Sequence, residues 1–313
     1  MNEAGDQPTD PQQALLAFVA AELALPVSKP ALAMSDAVRS RHGAAVLAVL
    51  FYGSCLRRPE TQLVDSLLDF YVLVDDYRAA YDKPWLAWAN QALPPNVFYL
   101  EIKYGDATLR AKYAVISLRQ FAHGTSMAAS SVSLWARFCQ PVRLTWSRHP
   151  SAAADVARAC SEAILTMLTA VQPSPAVEPA SVDAQQALDL WTAGFRATYG
   201  AELRPEGSDR AALIVAAEAD RYVAVTKLGL AVLANRGPGV LKPWRRQRIV
   251  GKLLNFARLF KAAFTFEGGL DYVLWKIARH SGVTLAVTDW QRRHPLLAAP
   301  GLAWRLYRRG AFR

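Results

Sequence analysis

Two apolar runs, separated by a polar connection, dominate the first third of the chain. The first covers Val46–Tyr52 and breaks at Gly53-Ser54, and the second covers Leu67–Val74 and ends at Asp75-Asp76. Runs of this length, rich in β-branched and aromatic residues and bounded by turn residues, are typical of buried strands. The second run carries one carboxylate, Asp69, near its middle. Because an ionised carboxylate is costly to bury alone, the pattern predicts a partner for Asp69, and a metal ion is one candidate.

The remaining pattern predicts more strands before His149 and helices after it. Strand patterns recur at Asn96–Ile102, Lys112–Ser117 and Pro141–Trp146, with one short strand predicted late, at Val283–Val287. Helical spacing is found at Gln12–Leu25, Ser35–Arg41 with Ser35 as its N-cap, Leu118–Arg137 (helical or mixed), Ser151–Val171, Asp183–Tyr199, Ser208–Ala234, Arg245–Phe264 and Leu270–His280. The mingling of strands and helices in the first half indicates an α+β or α/β fold, and we take α+β as the prediction. A Pro/Ser-rich connector, Gln172–Ser181, is a predicted hinge.

Composition narrows the class of partner. The chain has 313 residues, 52% of them hydrophobic, and a formal net charge of +10, with a pI near 9.7. This is enough apolar sequence for a sizeable core, and the positive charge favours anionic partners such as nucleotides, nucleic acid or an anionic membrane surface. Three scattered cysteines predict neither a disulfide framework nor a zinc knuckle.

The N-terminal region and the hydropathy give an expectation about location. Met1–Asp10 is acidic, with the pattern of a disordered leader, and no Lys or Arg precedes Lys29, so neither a secretory signal nor a mitochondrial presequence is predicted. No stretch reaches the roughly 18 uncharged apolar residues of a membrane span. We therefore expect a cytoplasmic protein, with peripheral membrane contact left open.

The two runs have the layout of a nucleotidyltransferase palm. Such a palm places a Gly-Ser turn, whose N–H groups and hydroxyl suit phosphate oxygens, beside two strand carboxylates two positions apart that hold magnesium. Asp69 fits the first carboxylate, but the second position is Tyr71. Asp65 lies four residues back, roughly 13 Å along an extended strand. Glu101, on the third strand, is the better predicted second ligand, since a neighbouring strand lies about 5 Å away.

Cations next to these strands are candidates for neutralising phosphate charge. Arg57 and Arg58 follow the Gly-Ser turn, whereas Lys103 and Lys112 flank the third and fourth strands. Each also fits an ordinary solvent-facing position. Motifs of other chemistries are absent from the sequence, which has no GxSxG elbow, HExxH, P-loop or GxGxxG.

With these residues identified, the chain resembles the CTP:phosphatidate cytidylyltransferases of the mitochondrial translocator assembly and maintenance type, which have bacterial relatives. The matching pieces run in order: FYGS at Phe51–Ser54, LLDFYVLVDD at Leu67–Asp76, NVFYLE at Asn96–Glu101, RAKYAVIS at Arg110–Ser117 and SLWARFCQPVRL at Ser133–Leu144. The resemblance implies a polymerase-β-like nucleotidyltransferase domain, 35–148, after a leader and helix, 1–34. A mostly helical, winged-helix-like domain, 149–313, would follow.

The resemblance also implies the reaction and the roles of residues. CTP and phosphatidic acid would give CDP-diacylglycerol and pyrophosphate, with Mg²⁺. Gly53 and Ser54 would hold the CTP phosphates, Asp69 the metal, and Lys112 would face the triphosphate or the lipid phosphate. The family's His after the Asp-Asp region is missing from YRAAY at Tyr77–Tyr81, and its third-strand Asn is Glu101 here.

Three further stretches bear on the acceptor. A basic amphipathic segment, Lys242–Lys261, and the tail from Trp290 suit an anionic bilayer, so the expected site is the inner face of the cell membrane. The polar insert Tyr199–Glu206 is a candidate to close over the cleft, with Arg204 as a contributor, and it equally fits an N-capping and turn role. No nucleic acid is expected, although a soluble or RNA acceptor and a non-catalytic scaffold of the same fold remain alternatives.

Overall fold

The computed structural model describes residues 10–64, 66–172, 181–201, 209–236, 241, 243–265 and 269–309. Its strands are β1 (Val46–Tyr52), β2 (Leu67–Val74), β3 (Asn96–Tyr104), β4 (Ala107–Ser117) and β5 (Val142–Ser147). Its helices before β5 are α1 (Pro11–Leu23), α2 (Lys29–Ser40), α3 (Glu60–Leu63), α4 (Tyr77–Ala80), α5 (Pro84–Ala92), α6 (Leu118–Thr125) and α7 (Trp135–Phe138). Those after it are α8 (Pro150–Val171), α9 (Ala184–Ala201), α10 (Asp209–Ala216), α11 (Ala219–Arg236), α12 (Trp244–Thr265), α13 (Gly269–Ser281), α14 (Asp289–Arg293) and α15 (Pro295–Arg308).

The five strands form one mixed sheet in the order β3-β4-β2-β1-β5. Strands β2 and β4 run parallel, and the other neighbouring strands are antiparallel. The chain crosses from β2 through α4 and α5 to the edge strand β3, and then returns through a hairpin into β4. The α+β class is therefore confirmed, and the bounds of β1 and β2 are those predicted from the apolar runs.

The sheet is covered on both faces, which is why β1 and the second halves of β2 and β4 are mostly apolar. Phe70, Val72 and Val115 belong to a cluster that contains residues of α2, whereas Tyr71, Leu73 and Ile116 belong to a cluster shared with α1, α8, α9 and α11. The second cluster continues from the sheet into the helices after His149 without a break. The predicted domain boundaries at 34 and 148 stay a prediction.

Several local predictions were wrong. Helix α2 begins at Lys29 with Ser28 as N-cap, and Ser35 is buried inside the helix, bonded to Thr145 Oγ1 at 2.5 Å. Strand β4 begins at Ala107, so the predicted start at Lys112 was five residues late. Its first three residues pair only with β3, and they form no continuous apolar run. Val283–Val287 forms no strand.

Other predicted stretches differ in part from the observed elements or lie outside the described residues. Leu118–Arg137 divides into α6, an irregular stretch and the start of α7, and Ser208–Ala234 divides into α10 and α11. The predicted leader lies almost wholly outside the described residues, as does most of the connector Gln172–Ser181. Within the parts that the structure describes, no helix has the length and hydropathy needed to cross a bilayer.

Candidate functional site

A cleft of about 530 Å³ opens where β1 ends and β2 begins. Among its lining residues are five that the sequence analysis singled out: Gly53, Ser54, Arg57, Asp69 and Lys112. These residues come from the end of β1, the turn after it, the start of β2 and the middle of β4. The structure thus brings together the turn, the carboxylate and the strand cation that were predicted to act at one site.

Strand register explains this convergence. Tyr52 pairs with Asp69 across the antiparallel β1/β2 ladder, which places Gly53 beside Asp69. Asp69 in turn pairs with Lys112 across the parallel β2/β4 ladder. Paired residues on neighbouring strands point to the same face, so the carboxylate and the ammonium group project into the cleft together.

Asp69 is only partly neutralised by the protein. Lys112 Nζ lies 3.4 Å from Asp69 Oδ1, and the two side chains are 39% and 29% exposed, respectively. Oδ1 is itself buried and makes no hydrogen bond, which agrees with an ion pair longer than the roughly 2.7–2.9 Å of a charge-assisted hydrogen bond. Asp69 therefore keeps acceptor capacity for another cation or donor.

Gly53 occupies a backbone conformation that suits glycine. Its φ is +89°, and a Cβ built on it would lie 3.5 Å from Asp69 Oδ2. A residue with a side chain would be strained at this positive φ, and its Cβ would lie in van der Waals contact with the carboxylate. The chain can therefore turn from β1 into the single helical turn Ser54–Arg57 directly above Asp69, leaving the first N–H groups of that turn near the cleft.

The cleft has a large excess of positive charge. Among the lining residues that the structure describes, five are cations, Arg57, Lys112, Arg137, Arg210 and Lys276, and one is a carboxylate, Asp69. Arg57 also lies 3.6 Å from Glu218, which partly offsets its charge. Such an excess around one carboxylate suits a polyanionic ligand that also brings a metal ion.

Arg137 contacts Tyr71, the residue two positions after Asp69 on β2. Its guanidinium lies 5.7 Å from the centroid of the Tyr52 ring and 5.9 Å from that of the Tyr71 ring. Its Nη1 donates to Tyr71 Oη at 3.3 Å and to the Ser133 carbonyl at 3.0 Å. Tyr71, at the strand position where the sequence analysis looked for a second carboxylate, thus helps to hold a cation at the cleft.

Glu101 is not placed to share a metal with Asp69. The prediction assumed adjacent strands, but β4 lies between β2 and β3, so the two strands are separated by two spacings, about 10 Å. Glu101 pairs instead with Arg110, whose Nε lies 3.0 Å from its Oε1, and accepts a 2.6 Å bond from Tyr99 Oη. The assumption behind its metal role was wrong.

The remaining predicted residues lie elsewhere. Lys103 is exposed near the end of β3 and bonds Thr108 Oγ1 at 3.4 Å, outside the cleft lining. Asp65 and Arg204 lie outside the described residues. Tyr199, the first residue of the predicted polar insert, belongs to α9 and lines the cleft. Residues 202–206 of the insert lie outside the described residues, so its closing role stays a prediction.

Sequence reasoning missed three of the lining cations. Arg137 stands in the SLWARFCQPVRL stretch that was noticed only for its resemblance, and its spacing gave no separate signal. Arg210 and Lys276 reach the cleft from α10 and α13, helices of the second half. Only tertiary packing brings these helices to the end of β1.

The three cysteines take no part in this charge arrangement. All are buried and free. Cys55, next to Ser54, bonds the Leu67 carbonyl at 3.3 Å, and burial raises the pKa of its thiol. A thiolate nucleophile is therefore not favoured at this cleft.

The residues present fit Mg²⁺ only as an ion shared with a ligand. Within the described part of the chain, no group of three or more His, Cys, Asp or Glu side chains could hold a metal. Asp69, with one buried and unbonded oxygen, supplies a single carboxylate. Mg²⁺ is often held by one or two carboxylates together with substrate phosphates and water, so a single carboxylate fits that mode and no other.

Comparison with known proteins adds no assignment. No family model matches the chain, and no curated protein matches it significantly.

Proposed function

We propose that the chain is a Mg²⁺-dependent nucleotidyltransferase of polymerase-β-like type, with a phosphatidate cytidylyltransferase activity. It would convert CTP and phosphatidic acid into CDP-diacylglycerol and pyrophosphate at an anionic membrane surface. The choice of CTP and of the lipid rests on the resemblance of the ordered motifs between Phe51 and Leu144. The reaction class rests on the cleft.

The observation that carries the proposal is the convergence of Gly53, Ser54, Asp69 and Lys112 on one cation-rich cleft. Each residue alone has an ordinary structural explanation. Together they supply a turn with N–H donors, one metal-binding carboxylate and one strand cation within a single strand register. Nucleotidyl transfer needs this set, because the enzyme mainly positions the triphosphate and neutralises its charge.

Each of these groups has a separate role in the proposed reaction. The N–H groups of the Ser54–Arg57 turn and the Ser54 hydroxyl donate to phosphate oxygens of CTP. Lys112 and Arg137 stabilise the negative charge that develops on the transferred phosphoryl group and on pyrophosphate. Mg²⁺, held by Asp69 and the triphosphate, would supply electrophilic activation of the α-phosphorus.

The outer face of α12 supports a membrane-bound acceptor. Ile249, Leu253 and Phe256 are 53%, 66% and 69% exposed, and their spacing places them on one stripe of the helix. Exposed basic residues of the same helix flank the stripe: Arg245, Arg246, Arg248 and Lys252. An apolar stripe between cations is the arrangement that binds in the interface of an anionic bilayer.

The sequence prediction for this segment needs one correction. The predicted membrane-facing segment Lys242–Lys261 includes Arg258 and Lys261, but both turn inward and bond carbonyls of the Pro94-Pro95 loop. Lys242 lies outside the described residues. The tail repeats the outward pattern on α15, where Leu297, Trp304 and Tyr307 are 71%, 62% and 65% exposed.

An assay of the purified chain tests the reaction. Labelled CTP with phosphatidic acid vesicles and Mg²⁺ is expected to give CDP-diacylglycerol and pyrophosphate in equal amounts, and chelation of the metal is expected to abolish both products. CTP binding without formation of CDP-diacylglycerol would exclude the lipid acceptor. Failure to bind CTP or any other nucleoside triphosphate would exclude the nucleotidyltransferase assignment itself.

Vesicle flotation tests the membrane surface. The wild type is expected to float with anionic vesicles, and the L253S/F256S double variant is expected to bind them at least about tenfold more weakly, because each apolar side chain contributes on the order of 1.5–3 kcal/mol when buried. The matched control is L25S/L32S, which changes two exposed leucines on another surface. A wild type that ignores anionic vesicles but shifts with tRNA would point to an RNA acceptor.

A further inference from the structure

A second, smaller cavity of about 170 Å³ adjoins the main cleft. The two share four lining residues, Tyr52, Lys112, Ser133 and Arg137. The far wall of the smaller cavity is the inner face of α12, with Asn255, Arg258, Lys261, Ala262 and Thr265. The smaller cavity therefore lies between the shared cations and the helix whose outer face carries the exposed apolar stripe.

Every charged residue in the described lining of this cavity is a cation. Four cations line it, Lys112, Arg137, Arg258 and Lys261, and no Asp or Glu is among its described lining residues. Asn255 and Thr265 add neutral polar groups. The volume is far below that of the main cleft and suits one small anionic group rather than a nucleotide. A compact dianion is the ligand that such a wall favours.

The cations on α12 hold the wall in place. Lys261 Nζ donates to the Leu93 carbonyl, to the Pro95 carbonyl at 2.8 Å and to Asn96 Oδ1 at 2.9 Å. These three bonds use all three donors of the ammonium group, so Lys261 would act on a ligand through its charge. Burial and the neighbouring Arg258 lower the pKa of Lys261 to about 7, whereas its three oxygen acceptors favour the charged form.

Arg137 stands at the junction between the two cavities. The rings of Tyr52 and Tyr71, together with the Ser133 carbonyl, fix its guanidinium there. The planar guanidinium of Arg137, in this position, can donate to one phosphate in each of the two cavities. Lys112, the other shared cation, contacts Asp69 on the cleft side. A ligand in the smaller cavity would thus lie next to the reacting end of a nucleotide in the cleft.

We propose that the smaller cavity is the acceptor subsite and binds a phosphate monoester dianion beside the Lys112–Arg137 wall. This inference rests on the proposed nucleotidyl transfer. In that reaction one monoester oxygen forms a bond to the α-phosphorus of CTP, while the bond from that phosphorus to the bridging oxygen of pyrophosphate breaks. Pyrophosphate leaves with the electron pair, and the attacking oxygen carries no proton that must be removed.

Asn255→Asp tests the subsite, because it adds one negative charge to the far wall with little change in shape. We expect the KM for phosphatidic acid, presented in neutral detergent micelles, to rise at least about tenfold, equivalent to about 1.4 kcal/mol, while the KM for CTP stays within about twofold. The matched control is Asn235→Asp, the same charge change at an exposed position of α11, and should leave both values unchanged. Equal shifts in both KM values, or no shift in either, would overturn the subsite.

A binding measurement separates failure of the subsite from failure of the proposed reaction. Titration calorimetry with short-chain phosphatidic acid and, separately, with glycerol 3-phosphate needs no turnover. If the wild type binds either probe and Asn255→Asp weakens that binding about tenfold, the subsite stands even if no product forms with CTP. Binding of glycerol 3-phosphate as tight as that of the lipid would identify a free phosphate monoester as the ligand. No binding of either probe to the wild type would overturn the inference.

Discussion

Asp69→Asn is expected to lower nucleotidyl transfer by about 10²–10³-fold, the effect of removing one group that stabilises charge directly at a reacting phosphate. Asp69 is the one carboxylate that lines the described cleft, and its Oδ1 is buried without a hydrogen bond. The amide keeps the size of the side chain and removes the charge that would hold Mg²⁺. The measurement is the initial rate of pyrophosphate release at saturating CTP and Mg²⁺.

Glu101→Gln provides the matched control for this change. Glu101 is a strand carboxylate of the same sheet, but its strand, β3, lies two strands from that of Asp69, and its side chain pairs with Arg110. We expect the Glu101 variant to retain activity within about threefold, because an exposed ion pair contributes little. Equal losses in the two variants would mean that the carboxylates act together, contrary to the strand order.

Nucleotide binding distinguishes the loss of catalysis from the loss of the site. In Asp69→Asn, Lys112 loses its ion-pair partner, and the cleft keeps five lining cations. Binding of CTP without Mg²⁺ is therefore expected to be unchanged or tighter, measured by equilibrium dialysis. If Asp69→Asn binds CTP as the wild type does and also turns over as fast, the metal role is wrong. If neither protein turns over, a non-catalytic scaffold is the better description.

The sequence predicted the central part of this site because its signals are local. The apolar runs of β1 and β2 are buried on both faces and end at Gly53 and Asp75, so both bounds were correct. Antiparallel pairing of these strands then suffices to bring the Gly-Ser turn to Asp69. The contact between the turn and Asp69 requires only that β1 and β2 pair in this register.

Strand order was not predictable in the same way. The hairpin at Gly105 carries polar residues on both arms, and its first arm becomes the edge strand while its second inserts beside β2. An apolar pattern reports only which residues are buried, and it does not distinguish β3 from β4 as the neighbour of Asp69. For this reason the sequence analysis wrongly placed Glu101, on β3, next to the strand of Asp69. Arg210 and Lys276 were not predicted, because the packing of their helices brings them to the cleft and the local spacing of residues does not report that packing.

Glu22→Ala is expected to cause the largest loss of stability among the changes considered, lowering the free energy of unfolding by about 3–5 kcal/mol. Glu22 and Arg221 form a two-bond ion pair, with distances of 2.6 and 2.9 Å and side chains only 11% and 8% exposed. Removing the carboxylate leaves the guanidinium buried with no opposing charge at that contact. Arg221 also donates to the Cys139 carbonyl at 2.9 Å, immediately before Gln140 and Pro141 of the cleft lining.

Urea unfolding, followed by circular dichroism, measures this loss, and a second ion pair between helices serves as control. Glu162 and Arg236 lie 2.8 Å apart with both side chains 33% exposed, so Glu162→Ala should cost no more than about 1 kcal/mol. Replacing both Glu22 and Arg221 by leucine should restore part of the loss, since no charge is then buried alone. Helix α1, which carries Glu22, packs against α8 and α11. Equal losses of stability in Glu22→Ala and Glu162→Ala would mean that this packing contributes little to the core.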